Sequence, residues 1–485
     1  MRVMGIETEY GILDPADSWA NPMEMSAAIV MAYCSRNPHA AWDYVGEDPL
    51  NDARGYRLPR AAADLSQLTD SPVLRAGAPG AVIGNGARFY VDHAHPEYSS
   101  PEVTNARDAL IWDRAGDEIV RAAMAALISE GRQIVLYKNN VDGKGASYGT
   151  HENYLVDRAA TFHEIAYRLT PFFVTRPLVV GSGRVGLGQK SQEPGFQISQ
   201  RADYVENDIG LETTFNRPII NTRDEPHADP ERYRRLHVIG GDANLFDVPT
   251  YLKFATTSMV LTLIERDLFP LAMDTIALSA PVVDCWGVSH DPFEHVLSTM
   301  TGRSTALDVQ RMYLDLAATH LAGEDPETDA ALALWDEVLT GLATDPESMA
   351  DCVEWIAKRQ ILEGMRQRSA SSWADPRLAA LDVQWADLRE ATGIVPRLDA
   401  AGRVRRLVAP QEVARAVVEP PRDTRAFVRG TAVTRFALRA ASWTSLVAEV
   451  PALTRIPLGD PLTGTAAHIG RLETLSDLYT ELRDR

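Results

Sequence analysis

The 485-residue sequence contains few cysteines and no long run of apolar residues. The three cysteines, Cys34, Cys285 and Cys352, are far apart and follow no metal-binding or redox spacing, which predicts reduced, mostly structural thiols. No apolar stretch approaches the ~20 residues that a membrane span requires. Glu7 lies where a signal peptide needs apolar residues, so we expect a protein of the cytoplasm.

Positive charge is also scarce. Lys and Arg number 48 against 67 Asp and Glu, which gives a formal net charge of −19. Such a surface repels phosphate backbones and anionic lipid, and this argues against broad binding of nucleic acid or of a membrane surface. Hydrophobic residues make up 45% and charged residues 24%, a composition that supports a sizeable core and excludes global disorder.

Strand-like and helix-like segments follow one another in an order that predicts an α+β fold. We expect an antiparallel-rich sheet packed by helices in a large domain, 1–415, and a small C-terminal domain, 416–485. Residues 37–80 have no sustained period and are predicted to form a long mobile insertion. The predicted strands include 3–10, 87–93, 133–138, 151–156, 175–180, 196–199, 218–221 and 236–239, and the predicted helices include 22–33, 104–131 and 250–267.

Two acidic residues lie two positions apart in the first predicted strand. Side chains alternate between the faces of a strand, so Glu7 and Glu9 project from the same face. Two like charges at roughly 6–7 Å on a half-buried face are costly unless a cation neutralises them. Carboxylate oxygens suit Mg²⁺. The pair is therefore a candidate Mg²⁺ site, with an acidic strand face in water as the alternative.

A second predicted strand places Arg88, Tyr90 and Asp92 on one face, while its apolar residues point to the core. A guanidinium, a phenol and a carboxylate on one wall suit the handling of a phosphate together with a nucleophile or base. Glu97, just beyond this strand, adds a third candidate carboxylate for a metal. This stretch is the strongest candidate for chemistry in the chain.

Three further polar segments contain candidate residues for the same site. His151 enters one predicted strand, His237 lies in another, and Arg223 lies in a loop dense in functional residue types. Phosphoryl chemistry depends mostly on positioning and on charge neutralisation by metals and Arg, so the set predicts an ATP-dependent site. The chain has no Walker loop, and the glycine-rich residues 181–186 do not open a helix as a dinucleotide fingerprint would. This points to the carboxylate–amine ligase class of glutamine synthetase.

Four long motifs, in order, make the chain closely resemble the Pup ligase/Pup deamidase family. They are residues 4–11 (MGIETEYG), 86–98 (GARFYVDHAHPEY), 148–154 (YGTHENY) and 217–229 (RPIINTRDEPHAD), and the resemblance continues to 424–430 (TRAFVRG). It implies a fold similar to glutamine synthetase. Residues 42–56 (WDYVGEDPLNDARGY) resemble an insertion of the deamidase/depupylase branch that the ligase branch lacks. Residues 92–95 (DHAH) also resemble the deamidase/depupylase branch.

The resemblance assigns roles position by position. Asp92 falls on the catalytic aspartate. The metal positions are Glu7, Tyr90 and Glu97, to which we add Glu9. The nucleotide and phosphate positions are Arg88, Ser100, His151, Arg223, His237, Arg429 and Trp443, the last in a C-terminal domain that closes over the nucleotide.

The implied activity is hydrolysis, with ATP and Mg²⁺ as bound cofactors. The enzyme would deamidate the C-terminal glutamine of Pup, a prokaryotic ubiquitin-like protein, and cleave the isopeptide bond between Pup and substrate lysines. Its partners would be Pup and pupylated proteins, with a functional link to the proteasome. Asp92 is either nucleophile or general base. The alternatives are a Pup ligase, a small-molecule γ-glutamyl ligase and a non-catalytic Pup-binding adaptor.

Overall fold

A computed structural model describes residues 2–59, 79–142, 145–213, 215–300, 302–450, 452–467 and 474–483. Its strands are β1 Met4–Glu9, β2 Gly11–Leu13, β3 His39–Trp42, β4 Asn51–Asp52, β5 Tyr56–Arg57, β6 Gly80–Ile83, β7 Arg88–Asp92, β8 His95–Ser99, β9 Val135–Tyr137, β10 Thr150–Asp157, β11 Arg184–Leu187, β12 Glu193–Gln197, β13 Val205–Gly210, β14 Arg217–Asn221, β15 Tyr233–Val238, β16 Ala440–Ala441, β17 Ser445–Glu449 and β18 Leu453–Pro457.

The helices are α1 Pro22–Cys34, α2 Ala106–Ser129, α3 Phe162–Thr175, α4 Pro177–Val180, α5 Asp247–Glu265, α6 Pro281–His290, α7 Ala306–Leu321, α8 Pro326–Thr344, α9 Glu354–Ser369, α10 Pro376–Trp385, α11 Ile394–Ala400, α12 Pro410–Val418, α13 Ala426–Arg435 and α14 Leu475–Arg483. Short 3₁₀ helices occur at Ala202–Tyr204, Leu271–Ile276 and Pro346–Met349. None of the helices in the described ranges combines the length and the apolar character needed to cross a membrane.

A ten-stranded sheet dominates the molecule, in the order β15-β10-β1-β8-β7-β6-β3-β16-β17-β18. Every neighbouring pair is antiparallel except β3–β16, which is parallel. Four two-stranded pairs, β11–β12, β13–β14, β2–β9 and β4–β5, lie outside it. The prediction of an α+β fold with a large antiparallel-rich sheet is confirmed.

The sheet is apolar on one face and polar on the other. Ile6, Phe89 and Tyr154 are almost fully buried on the apolar face. Helices α2 and α5 contribute to the hydrophobic core on that side, which contains Met4, Ile6, Leu110, Tyr154 and Leu252. The intervening residues of the central strands project from the other face, as the alternation of side chains in a strand requires.

Helix α2 agrees with the amphipathic segment predicted over 104–131. It begins at Asn105, whose side chain accepts a hydrogen bond from the backbone N–H of Asp108. Gly131 follows its end with φ 86°, a left-handed conformation that glycine adopts without steric cost. Helix α2 thus spans the sheet behind the strands that carry the polar face.

The prediction that residues 37–80 form one structureless insertion is wrong for its described part. Residues 39–42 form strand β3 inside the main sheet, and β4 and β5 form a small hairpin. Residue 80 already belongs to β6, and residues 60–78 lie outside the described part. The local sequence is irregular, but pairing of β3 with β6 and β16 overrides that signal because it satisfies the backbone in the sheet.

A further strand prediction, at residues 175–180, is wrong. These residues complete α3 and form α4 instead of a strand. The strand predicted at 218–221 is confirmed as β14, which pairs with β13 outside the main sheet. Short apolar runs do not distinguish a buried strand from a buried helix by periodicity, and helix packing decides here.

The C-terminal segment adds three strands and two helices to the edge of the sheet. Its core joins Val428 and Leu446 to Trp42 and Val82 from the N-terminal part of the chain. The predicted domain boundary at 415/416 falls inside helix α12, which packs against α2. Segments that are far apart in sequence therefore share the core formed by Trp42, Val82, Val428 and Leu446.

Candidate active site

Polar side chains from four adjacent strands meet on the open face of the sheet. In the antiparallel register, Glu9 of β1 lies opposite Glu97 of β8, and Glu97 lies opposite Tyr90 of β7. Glu7 lies opposite His151 of β10 on the other side of β1. Directly opposed residues have Cβ atoms about 4.5–5.5 Å apart, so this register brings the predicted residues into one group.

Glu9, Asp92 and Glu97 form the first candidate metal cluster. Ligand oxygens of the three carboxylates all lie within 4.8 Å of one another. Burial, followed by the charges of Asp92, Glu9 and Glu7, raises the pKa of Glu97 well above its ordinary value. An all-oxygen set with surplus negative charge is the kind of site that binds Mg²⁺. The donor chemistry therefore fits the predicted metal.

Glu7, His151 and His237 form a second cluster, also with ligand atoms within 4.8 Å. His151 Nδ1 is 3.4 Å from a Glu7 oxygen, and the two imidazole rings are 5.0 Å apart. Burial and the charge of Arg235 lower the pKa of His237 well below its ordinary value. The His237 ring is thus neutral at pH 7 and keeps a lone pair for a metal or a phosphate proton.

Asn153 and Arg235 hold the second cluster in place. Asn153 donates to Glu7 over 3.0 Å, and its Oδ1 lies 2.9 Å from His237 Nδ1. Arg235 donates to the same oxygen over 3.1 Å and lies 3.7 Å from Glu7 and from Glu225. These two residues were not among the predicted site residues. Their alternation with buried neighbours on β10 and β15 indicates that they project from the polar face of the sheet.

Asp92 ends strand β7 at the edge of the first cluster. Its Oδ2 is 3.0 Å from Nδ1 of His93. His93 has φ 52°, a left-handed conformation that is uncommon for a residue other than glycine. The turn therefore presents the imidazole to the carboxylate of its neighbour, while that carboxylate remains next to Glu97 and Glu9.

Arg88 lies between two aromatic rings. Its guanidinium carbon is 4.0 Å from the centre of the Trp42 ring and 3.8 Å from that of Tyr90. Glu47 is 3.8 Å from Arg88 and accepts a hydrogen bond from the Trp42 indole over 2.6 Å. Trp42 and Glu47 belong to the segment predicted as a mobile loop, so their contribution to the site was missed.

A cleft beside the second cluster is lined by residues from both ends of the chain, including Ser100, Pro226, His227 and Trp443. Ser100 is almost fully buried; its Oγ accepts from the Ile6 N–H over 3.0 Å and donates to the carbonyl of Pro101. Burial lowers the pKa of His227 to about 4, so that ring is neutral at pH 7. An indole and a neutral imidazole in one cleft suit a planar aromatic ligand.

Arg429 is placed differently from the prediction that it lines the phosphate site. It is fully buried and forms an ion pair with Glu102, and it donates to the carbonyl of Gly86 over 2.9 Å. Its guanidinium carbon lies 4.8 Å from the centre of the Trp443 ring. Arg429 therefore supports Trp443 from behind. No local sequence pattern points to Glu102 as its partner.

Arg223 lies in the segment between β14 and β15. It forms an isolated bridge to Asp52, and its Nε is buried without a hydrogen-bond partner in the described residues. Its charge contributes to lowering the pKa of Glu225, although burial acts in the opposite direction. Arg223 is thus at the border of the site, held by the β4–β5 hairpin.

Together, the fold and the site define a glutamine-synthetase-like α+β protein with clustered carboxylates on an antiparallel sheet. The sequence model of a family described as Pup-ligase protein matches residues 2–447. The chain belongs to this Pup ligase family.

Relatives within the family differ in how fully they match. The chain is 47% identical to the Pup deamidase/depupylase of Mycolicibacterium smegmatis, over 99% of this chain and 98% of that protein. It is 48% identical, with the same coverage, to the depupylase of Acidothermus cellulolyticus. The Pup–protein ligase of Acidimicrobium ferrooxidans is 37% identical over 80% of this chain and 88% of its own length.

Two solved structures of the ligase PafA have the same fold. One is the complex of PafA with Pup, which has a TM-score of 0.79 at 29% identity and covers all of this chain and 92% of the other. The other is PafA with ADP, which has a TM-score of 0.74 at 30% identity and covers 89% of this chain and 96% of the other.

Proposed function

We propose that the protein is a hydrolase that deamidates the C-terminal glutamine of Pup and releases Pup from the lysines of pupylated proteins. The observation that carries the proposal is near-complete alignment at 47% identity with a Pup deamidase/depupylase, against 37% over 80% of the chain for a ligase. The position of Asp92 in one cluster with Glu9 and Glu97 supports it. The proposal includes a cytoplasmic location and a link to the proteasome.

Asp92 is the group that would act on the carboxamide or isopeptide carbonyl. It can attack the carbonyl carbon itself, giving an anhydride that water opens, or take a proton from an attacking water. His93, whose Nδ1 lies 3.0 Å from Oδ2 of Asp92, orients the carboxylate. Both routes need an ionised Asp92 and a positive environment for the oxyanion that develops.

Bound Mg²⁺ would be held by Glu7, Glu9, Tyr90 and Glu97. These carboxylates and the phenol would hold the ion, which would supply charge neutralisation for a bound phosphate. The surplus negative charge of the first cluster supports this assignment. The chain's own cations, Arg88, Arg223 and Arg235, lie around the clusters and would bind the remaining phosphate charge.

A nucleotide would occupy the cleft between the sheet and Trp443. The ADP complex of PafA supports nucleotide binding, and the residues we assign to it are Arg88, Ser100, His151, Arg223, His237 and Trp443. In our proposal Arg429 acts indirectly, through Glu102 and Trp443. The C-terminal unit, from about residue 416, would close this cleft.

The decisive experiment incubates the protein with Pup that ends in glutamine, together with ATP and Mg²⁺ and without a lysine acceptor. Mass spectrometry should detect replacement of the terminal amide by a carboxylate. Asp92→Asn should lower the rate by about 100-fold or more, because loss of a nucleophile or essential base costs at least that. Asp267→Asn is the matched control, since Asp267 is exposed and already has φ 52°, which Asn tolerates.

The ligase is the second candidate, favoured by the fold that the chain shares with PafA. The same protein is incubated with Pup ending in glutamate, ATP and a lysine-bearing protein. A covalent conjugate in this assay, without deamidation in the first, would replace our proposal by the ligase. ADP release with free amino acids would instead indicate a small-molecule γ-glutamyl ligase, and Pup binding without any turnover would indicate an adaptor.

A further inference from the structure

Tyr148 is a buried side chain directly before strand β10, at the edge of the first cluster. Its ring stacks on the imidazole of His95, with 4.3 Å between the ring centres and 29° between the planes. Its hydroxyl donates a hydrogen bond to Oδ1 of Asn139. Gly11 leaves room for this hydroxyl, because a Cβ atom there would collide with it. The phenol is thus anchored at its tip and covers His95 with its face.

His95 lies between Tyr148 and the carboxylates. It is opposite Asp92 in the hairpin of β7 and β8, and it shares a strand face with Glu97, two residues further on. Its Nδ1 is 3.4 Å from Oε2 of Glu9. That nitrogen is buried, and no hydrogen bond engages it in the part of the chain that the structure describes. Stacking on Tyr148 therefore takes the place of a hydrogen bond at Nδ1 in fixing the direction of the ring.

The carboxylate of Glu9 is contacted on both of its oxygens. The backbone N–H of Gly149 donates to Oε1 over 2.8 Å, and the backbone N–H of Glu9 donates in return to the Gly149 carbonyl over 3.0 Å. Oε2 is the oxygen that faces His95. A backbone donor on one oxygen and an imidazole against the other fix the plane of the carboxylate.

We propose that Tyr148 is a positioning residue for Glu9. Its ring fixes His95, and His95 holds the carboxylate in the orientation that a divalent cation needs. Loss of an outer contact of this kind lowers metal affinity by about 10- to 100-fold. The inference rests on one part of the proposed function, the assignment of Glu9 to the metal site.

The backbone around Tyr148 is held independently of its phenol. Asn140, which is fully buried, donates from its amide to the Tyr148 carbonyl over 3.1 Å and accepts from the Tyr148 N–H over 3.0 Å. Arg201 donates to the same carbonyl. Replacing the phenol therefore leaves the bond between Gly149 and Glu9 in place, and the contribution of the ring can be measured separately.

The test measures metal affinity directly, with Mn²⁺ in the presence of ADP and the free Mn²⁺ signal followed by electron paramagnetic resonance. Mn²⁺ takes the same oxygen ligands as Mg²⁺. Tyr148→Leu, which removes the stacked ring, should weaken Mn²⁺ binding by about tenfold or more. Tyr148→Phe should keep nearly the wild-type affinity, because the ring and its stack on His95 remain.

Tyr313→Leu is the matched control for the loss of a buried phenol. The Tyr313 hydroxyl also donates to a backbone carbonyl, that of Arg168, and its ring packs against Phe172 in the helical core. This variant should lower the melting temperature without changing Mn²⁺ affinity. If Tyr148→Leu does not fold, Tyr148→Met replaces it, because the unbranched side chain adapts to the space that the ring leaves.

A double-mutant cycle tests the route through His95. His95→Ala should weaken Mn²⁺ binding at least as much as Tyr148→Leu, and the double variant should be no weaker than His95→Ala alone. Additive losses, wild-type affinity in the folded Leu or Met variant, or equal losses in Tyr148→Phe or Tyr313→Leu would overturn the inference. A wild-type protein that binds Mn²⁺ and ADP but does not deamidate Pup would refute the proposed activity and leave this role of Tyr148 standing.

Discussion

At the scale of single residues, the first cluster places three carboxylates where they repel one another. Glu9 and Glu97 are almost fully buried, and Asp92 is half-buried at the end of its strand. Burying like charges without a cation destabilises the folded state. Such an arrangement is typical of a site where binding is gained at the expense of stability.

Glu97→Gln should therefore have opposite effects on stability and on ligand binding. In the presence of a chelator, the free energy of unfolding in urea should rise by about 1 kcal/mol, because one source of repulsion is removed. Nucleotide affinity in Mg²⁺, measured by titration calorimetry, should fall by at least the roughly tenfold that loss of a metal-site partner costs.

The control is Glu449→Gln, an exposed carboxylate paired with Arg439 at the surface. It should change neither quantity appreciably, because surface ion pairs contribute little. If Glu97→Gln left nucleotide affinity in Mg²⁺ unchanged, Glu97 would not be a metal ligand, whatever its effect on stability.

At the scale of elements, the β4–β5 hairpin anchors the segment between β14 and β15. The buried Asp52 accepts a hydrogen bond from the Thr222 hydroxyl over 2.7 Å and pairs with Arg54. The backbone of Ala53 donates to the carbonyl of Thr222 over 2.7 Å. Because Arg223 follows directly, these contacts fix the start of a segment that reaches the nucleotide cleft.

Asp52→Ala should loosen this anchor. The free energy of unfolding should fall by about 2 kcal/mol, the scale of a lost buried hydrogen bond to a charged group. Nucleotide affinity should also fall, because Arg223 and Glu225 lose their support. Chemical denaturation and titration calorimetry measure the two effects.

Asp17→Ala is a suitable comparison, because Asp17 is exposed and its side chain accepts only the local Trp19 N–H in the described structure. Wild-type nucleotide affinity in Asp52→Ala would mean that the hairpin stabilises the fold without supporting the site.

At the scale of the whole molecule, Glu102 connects the two ends of the chain. It pairs with Arg425 and Arg429, more than 300 residues away in sequence. Burial would raise the pKa of Glu102, but the charges of the two arginines outweigh it and hold that pKa at about 2, against an ordinary value of 4.5. This ion pair joins the C-terminal unit to the strand region of the nucleotide cleft.

Glu102→Gln should destabilise the protein by about 3 kcal/mol at pH 7, because two buried guanidinium groups lose their counter-charge. A carboxyl group with a lowered pKa in the folded state stabilises the fold above pH 4.5 and loses that contribution as the pH falls toward 2. The difference in melting temperature between wild type and variant should therefore be full at pH 7 and shrink below pH 4.5.

Thermal melts across this pH range provide the measurement, with Glu449→Gln again as the exposed comparison. A difference that stays constant from pH 7 down to pH 3 would contradict the linkage. It would indicate that Glu102 acts through packing and hydrogen bonding, independently of its charge.

The sequence by itself determined which residues share a face. Strict alternation along a strand places Glu7 with Glu9, and Arg88 with Tyr90 and Asp92, because side chains in a strand repeat every two residues. The helical spacing of apolar residues, another local pattern, predicted helix α2, and Gly131 marked its end. Motif resemblance added the family, which the comparisons confirm, and role assignments for single residues that remain predictions.

Only the tertiary structure decided which distant segments meet. Pairing of β3 with β16 brings Trp42 beside Arg88 and Trp443, although residues 37–80 carry no regular pattern. Glu102 finds Arg429 across 327 positions of sequence. Local periodicity encodes the orientation of each side chain, whereas the partner of each strand depends on burial summed over the whole core, which no short segment contains.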